Sequence, residues 1–179
     1  MSTWIVLLRG INVGGKNSLP MNELVRDLQS LNLENVKTYI QSGNAVFRSS
    51  RKVSATLGAK IATKIENRHG FRPHVLILSA DQLEDAIASN PFPEAEAEPK
   101  TLHVFFLAWA PAAPDIEALS EAKSPSERFH LTDHVFYLHA PDGIGRSKLA
   151  ANAEKFLGVA ITARNWRTVQ KLWEMAKDT

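Results

Sequence analysis

No cysteine occurs among the 179 residues. That absence excludes disulfide staples, thiolate zinc sites and a cysteine nucleophile, and it points to a reducing compartment. Long apolar runs are missing too. The best candidate, 102–113, is about half of what a membrane-spanning helix requires, and Pro111 interrupts it. No basic segment precedes the first apolar run, so the N-terminus does not read as a secretory signal. The expectation is a soluble cytoplasmic protein with no membrane partner. Acidic residues are absent from 9–17 and 38–44, which disfavours a paired-carboxylate mechanism centred on those stretches.

What is present suffices for a real core. Apolar residues make up 44% of the chain, and the length suits one sizeable domain or two small ones. Charge is segregated. Residues 1–78 carry 11 Lys+Arg against 4 Asp+Glu, 79–127 carry 2 against 10, and 128–179 carry 8 against 5. Two basic segments flank an acidic one, which suggests an anionic partner for the ends of the chain.

The pattern of elements runs twice. Thr3 to Arg9 reads as a buried strand. Ser18 and Pro20 then open a helix over about 20–31, with Met21, Leu24, Leu28 and Leu31 at helical spacing. Val36 to Gln41 and Ala45 to Ser49 form a hairpin around Ser42-Gly43. Leu57, Ile61 and Ile65 mark a helix ended by Gly70, and Pro73 to Ser79 is a strand. Ser79 caps a short helix, and the Pro-rich acidic stretch 90–100 reads as a linker or exposed loop. Strand, helix, hairpin, helix and strand recur over 101–164, with hairpin turn Asp133-His134, helix Lys148 to Leu157 and a last helix capped by Asn165. The expected fold class is α+β: two tandem ferredoxin-like (β-α-β-β-α-β) lobes, 1–90 and 101–179, with an extra C-terminal helix. Alternating directions in such a unit bring 10–17 beside 41–44, and 142–148 beside 164–167. Both ends are polar, and nothing in the sequence forces the two together.

Arg9 to Asn17 is the most informative stretch. Gly10, Gly14 and Gly15 permit positive φ and expose backbone N–H groups, and Arg9, Asn12, Lys16 and Asn17 add donors. A strand, a basic glycine-rich loop and a helix start together can hold an anion. The spacing is neither that of the phosphate-binding Walker loop nor that of the dinucleotide fingerprint. A tight strand–helix connection explains the glycines equally well.

Leu-Arg-Gly-Ile-Asn-Val-Gly-Gly-Lys-Asn (8–17), Pro-Met-x-x-Leu (20–24), Thr-Tyr-Ile-Gln-Ser-Gly-Asn (38–44), Gly-Arg-Ser-Lys-Leu (145–149) and Arg-Asn-Trp-Arg-Thr-Val (164–169) resemble the bacterial family of domain of unknown function 1697. The resemblance spans nearly the whole chain. It implies a two-lobed α+β protein of ferredoxin-like repeats, and brings no activity and no catalytic residues.

The leading functional expectation is binding of a phosphate-bearing ligand, a nucleotide or a nucleic acid. Arg9, Lys16, Arg146, Lys148, Arg164 and Lys171 would pair with phosphate oxygens. The glycine-loop N–H groups and the helix start at Asn165 would donate as well. Tyr39, Gln41, Asn44 and Trp166 are candidates to hydrogen-bond or stack on a base, though Trp166 fits a core position too. Ser42 sits on the turn beside Gly43. RNA recognition on an open sheet face is disfavoured, because the first strand is aliphatic and the third offers Phe47 alone. The alternatives are a small metal-assisted phosphoryl- or nucleotidyl-transfer enzyme and a protein-interaction module that uses the acidic region 81–98. His103, His130, His134 and His139 read as solvated or core histidines, so no metal site is expected. The sequence names no cofactor and no oligomeric state.

Overall fold

A computed structural model describes residues 1–50, 53 and 56–179. The fold is mixed α+β, with two four-stranded antiparallel sheets and six α-helices among the described residues. The first sheet contains β1 (Ser2–Arg9), β2 (Glu34–Tyr39), β3 (Asn44–Ser49) and β4 (His74–Ser79) in the order β2-β3-β1-β4. Its helices are α1 (Met21–Gln29) and α2 (Leu57–His69), followed by α3 (Ala80–Ala88). The second sheet contains β5 (Leu102–Leu107), β6 (Arg128–Leu131), β7 (Val135–His139) and β8 (Ile161–Asn165) in the order β6-β7-β5-β8. Its helices are α4 (Ile116–Ala122) and α5 (Lys148–Leu157), followed by α6 (Trp166–Lys177). The two sheets therefore share one strand order, displaced by four strands. The chain divides into two compact units, Met1–Asp85 with Lys171–Thr179, and Ala86–Gln170. Among the described residues no helix is long and apolar enough to cross a membrane.

Alternation along the strands sorts the cores. In the first unit, Val6, Leu8 and Phe47 pack with Leu24, Leu28, Ile61 and Ile65 of α1 and α2. Ile5, Leu7 and Val46, on the other face of the sheet, are buried as well. In the second unit, Phe105 meets Phe136 edge to face at 5.4 Å between centroids, over Leu119, Leu149 and Leu157 of α4 and α5. Val104, Phe106 and Tyr137 bury its opposite face.

Local signals fix most boundaries. Ser79 Oγ accepts from Gln82 N at 3.1 Å while Gln82 Oε1 accepts from Ser79 N at 2.9 Å, a reciprocal cap at the start of α3. Asp115 and Ser147 cap α4 and α5 through the N–H groups of Ala118 and Ala150. Gly70 and Gly158 end α2 and α5 in the left-handed conformation. Three expectations need correction. Helix α1 starts at Met21 with Pro20 extended before it, and Ser18 does not cap it; Leu19 is instead tied to Asn12. Strand β2 stops at Tyr39, because Ile40 turns to φ 47°. The stretch 90–100 is not a bare linker. It forms a 3-10 turn (Pro93–Ala97) with Phe92 and Ala95 buried. Glu94 there pairs with Arg128, and Glu96 accepts from Asn90 at 2.8 Å.

One charged group lies deep in the first unit. Asp27 of α1 is 1% exposed. Arg68 Nη1 donates to one of its oxygens and His69 Nε2 lies 3.0 Å from the other. Arg68 also reaches Glu23 at 2.6 Å, and the Asp27 carboxylate raises the Arg68 pKa above its ordinary value. The cluster ties α1 to the end of α2, which burial of a lone carboxylate could not do. Asp27→Ala is expected to lower unfolding stability by about 1–3 kcal/mol, whereas Glu23→Ala, at a partly exposed pair, should cost about 0–1 kcal/mol. Denaturant unfolding of both variants compares the two.

Candidate functional site

The end of the first sheet gathers the N-terminal motifs. Leu7 pairs with Asn44, and Arg9 with His74, so the loop after β1 and the β2–β3 turn emerge side by side. Asn12 joins them. Its Nδ2 donates to Leu19 O at 2.9 Å and to Gln41 O at 2.7 Å, and its Oδ1 accepts from Leu19 N at 2.7 Å. Asn17 Nδ2 closes the loop on Gly10 O at 2.8 Å. Val13 and Lys16 bridge to form a tight hairpin tip. Gly10, Asn12, Gly14, Gly15 and Asn17 all have positive φ. A Cβ on Gly10, Gly14 or Gly15 would meet nothing within 4 Å, so φ and not crowding selects these glycines. Gly43 differs. Its φ is 80°, and a Cβ there would lie 2.6 Å from Leu8 Cβ and 2.9 Å from Ile11 Cδ1.

The candidate residues at this end fall into two groups. Arg9, Lys16, Gln41 and Ser42 are exposed and Tyr39 is half-buried. Asn44 is fully buried, with Nδ2 donating to Tyr39 O at 3.1 Å and to Ser42 Oγ at 3.2 Å. Asn12 and Asn44 thus shape the turns through their own amides.

The second unit brings its motif to a cleft of about 420 Å³. The walls are the end of α4 with the segment after it, and the loop that leads into the first residue of α5: Glu121, Lys123, Ser124 and Glu127 on one side, Asp142, Gly143, Arg146, Ser147 and Lys148 on the other. Gly143 takes φ 92°, and a 3-10 turn (Ile144–Arg146) swings the chain into α5. Arg146 and Lys148 are exposed, and the N-terminus of α5 opens between them. Two of the three carboxylates are already engaged. Glu127, 4% exposed, accepts from Ser124 N at 2.9 Å, and Asp142 accepts from Ser126 Oγ at 2.6 Å.

Arg164, Asn165 and Trp166 lie at the same end of the second sheet, since His103 pairs with Asn165 and Leu102 with His139. They are not wall residues of the cleft. Arg164 is half-buried, donates to Ala163 O at 2.8 Å, and burial lowers its guanidinium to about 10, so it stays charged at neutral pH. Asn165 Oδ1 accepts from Thr168 N at 2.9 Å as the cap of α6. Trp166 is 1% exposed, so neither face of its ring is open to a base, and its Nε1 finds no partner among the described residues. Nearby, burial lowers the pKa of His103. Burial, helped by Arg128, does the same for His139. Among the described residues, no three His, Asp or Glu side chains are grouped to hold a metal ion.

Two features were not anticipated from sequence: the Asp27 cluster and the wall 121–127 of the cleft. Both join residues distant in the chain, and no local motif marks either.

Two antiparallel sheets of one shared order, each ending in a basic glycine-containing loop, define a mixed α+β protein. The chain belongs to the family described as protein of unknown function (DUF1697), whose family model matches residues 1–137. The motifs at 145–149 and 164–169 lie beyond that match. Among solved structures, it is similar to the conserved bacterial protein SP0830 from Streptococcus pneumoniae, at 26% identity and a TM-score of 0.70, with 98% of each chain covered. No curated protein matches the chain.

Two outcomes are expected. Gly43→Ala should cost about 2–4 kcal/mol, since it adds both a left-handed residue and a core clash, while Gly14→Ala should cost no more than about 1 kcal/mol for φ alone. Chemical denaturation compares them. Because the His103 pKa is lowered from 6.5 on folding, the unfolded chain binds the proton first as pH falls. Stability is then lost below about pH 6.5, and His103→Gln should lose less between neutral pH and pH 5. Thermal melts across that range read the difference.

Proposed function

We propose that this protein binds a phosphate-bearing ligand, and that the cleft at the start of α5 is its principal site. One observation carries the reading: Lys123, Arg146 and Lys148 line a single cleft together with the N-terminus of a ten-residue helix. Its volume of about 420 Å³ suits a small ligand. Three carboxylates share the walls, so the cleft is not a bare cation patch. Its chemistry favours a ligand with both phosphate and hydroxyl or amino donors, as a nucleotide or sugar phosphate has. Arg146 and Lys148 would pair with phosphate oxygens, and Glu121 and Asp142 would accept from the donors.

Within this reading the loop Arg9–Asn17 is a second cationic surface. Arg9 and Lys16 would contact phosphate, the backbone of Gly10, Gly14 and Gly15 would approach it closely, and Tyr39, Gln41 and Ser42 would edge the site. Asn12, Asn44, Asn165 and Trp166 would hold geometry. Arg164 would contribute field from its half-buried position. We also read each sheet with its helices as a ferredoxin-like lobe, 1–90 and 101–179 along the chain, with α6 as the added helix. The shared sheet order supports this.

Calorimetric titration with inorganic phosphate, mononucleotides and sugar phosphates tests the proposal. Arg146→Ala and Lys148→Ala should each weaken binding by about 1.5–3 kcal/mol, with melting temperatures unchanged. Retention on heparin and single-stranded oligonucleotides that falls steeply with salt would assign the ligand to nucleic acid instead. No binding of any of these by the wild-type protein would refute the reading.

A further inference from the structure

Two exposed aliphatic side chains sit at the end of the first sheet. Val13, at the hairpin tip, is 68% exposed, and Ile40, in the turn after β2, is 50% exposed. Each stands one residue from the hydrogen bond between Asn12 and Gln41, so that bond sets the two tips side by side. Ile40 is unfavourable twice over. A β-branched residue at φ 47° is strained, and its side chain gains little from the core. Such outliers collect at binding sites. Single exposed aliphatic residues need no account, but a pair at one tip, one of them strained, does.

The tips are held. Lys16 N donates to Val13 O at 3.0 Å and Asn12 N to Asn17 O at 3.1 Å, which closes the hairpin. Leu8 N donates to Gly43 O at 2.8 Å beneath the second turn. Contact with a partner therefore orders little that is not already fixed.

Charge and chemistry select the partner. The stretches 9–17 and 38–44 carry two cations, Arg9 and Lys16, both exposed, and no acid. Lys16 pairs with no acid among the described residues. The acids that α1 and the end of α2 bring toward this end are neutralised: Glu23 and Asp27 pair with Arg68, and Glu66 pairs with Arg72 at 2.9 Å. An anionic partner is favoured. Aliphatic tips cannot stack on a base, and the one aromatic residue in the two stretches, Tyr39, is half-buried, which disfavours a nucleic acid. Apolar tips flanked by cations fit an anionic lipid surface, the tips entering the acyl boundary and the cations meeting headgroup phosphates. Contact of this kind needs no membrane-spanning segment.

We propose that this end of the first unit docks on an anionic lipid surface, Val13 and Ile40 entering the interface while Arg9 and Lys16 contact lipid phosphates. Docking rests on the reading of Arg9–Asn17 as a phosphate-contacting surface, and it names the source of that phosphate. With two cations and two aliphatic side chains, the attachment is reversible.

Co-sedimentation of the full chain with vesicles tests the docking. The chain should pellet with vesicles of phosphatidylcholine and phosphatidylglycerol in equal parts, stay in solution with phosphatidylcholine alone, and leave the vesicles as salt rises. Val13→Ser and Ile40→Asn should each lower the partition coefficient by about four-fold or more, the factor that one buried methylene supplies. Ile40→Asn should do so without lowering the melting temperature, since it relieves strain. Lys16→Glu should lower partitioning as well, whereas Lys148→Ala, in the cleft of the second unit, should leave it unchanged. Failure to pellet with the anionic vesicles overturns the docking, whatever calorimetry finds for free phosphate and nucleotides. Equal pelleting with the neutral vesicles also overturns it. Pelleting that both tip variants leave intact but Lys16→Glu abolishes keeps the loop as a phosphate surface and removes the insertion. Pelleting that Lys16→Glu also leaves intact refutes the loop's phosphate contact itself.

Discussion

The Asn12 carboxamide holds the end of the first sheet together. One side chain satisfies both the N–H and the C=O of Leu19 and also the carbonyl of Gln41. Without it the loop after β1 and the turn after β2 would each have to close alone. With it, Leu19 is held on both sides, Pro20 follows at ψ 140°, and α1 begins at Met21. Gly43 completes the junction by letting the turn approach Leu8 and Ile11 more closely than any side chain allows. The exposed Arg9 and Lys16 stand on this scaffold.

The second unit solves the same problem differently. Its loop before α5 is anchored by Ser147, which caps the helix, and by Asp142, which accepts from Ser126 across the cleft. Glu127 is buried beneath, spanned by the N–H of Ser124. Glu127 thus shapes the wall that faces Arg146 and Lys148, and Asp142 ties their own loop to that wall. A cleft made this way presents cations without collecting only cations, which sets it apart from a surface patch that merely attracts polyanions.

Much of the fold was legible because its signals are local. Gly70 and Gly158 stop helices, Asn165 starts one, and continuous apolar runs mark β1, β3, β5 and β7. What escaped was non-local or ambiguous. The 90–100 stretch looks like a linker by composition, yet Phe92 and Ala95 are buried and Glu94 meets Arg128, 34 residues on. Asn12 and Asn44 look like ligand donors by type, yet their amides are engaged within the turns, Asn12 with backbone groups and Asn44 with Tyr39 O and Ser42 Oγ. Trp166 has the chemistry to stack on a base, and its burial removes the opportunity. Nothing in the local sequence distinguishes a polar side chain that builds a turn from one that awaits a ligand; only the partner's position does.

The claim that joins these observations is that the cleft at the start of α5 receives phosphate. Amide chemical shifts recorded while inorganic phosphate is titrated into the labelled protein test it most directly. The account predicts saturable shifts at Gly143, Arg146, Lys148 and Leu149 and at Lys123 and Ser124, with Lys148→Ala removing them. Shifts absent from all six at saturating phosphate, or spread evenly over the lysines and arginines of the surface, would contradict it.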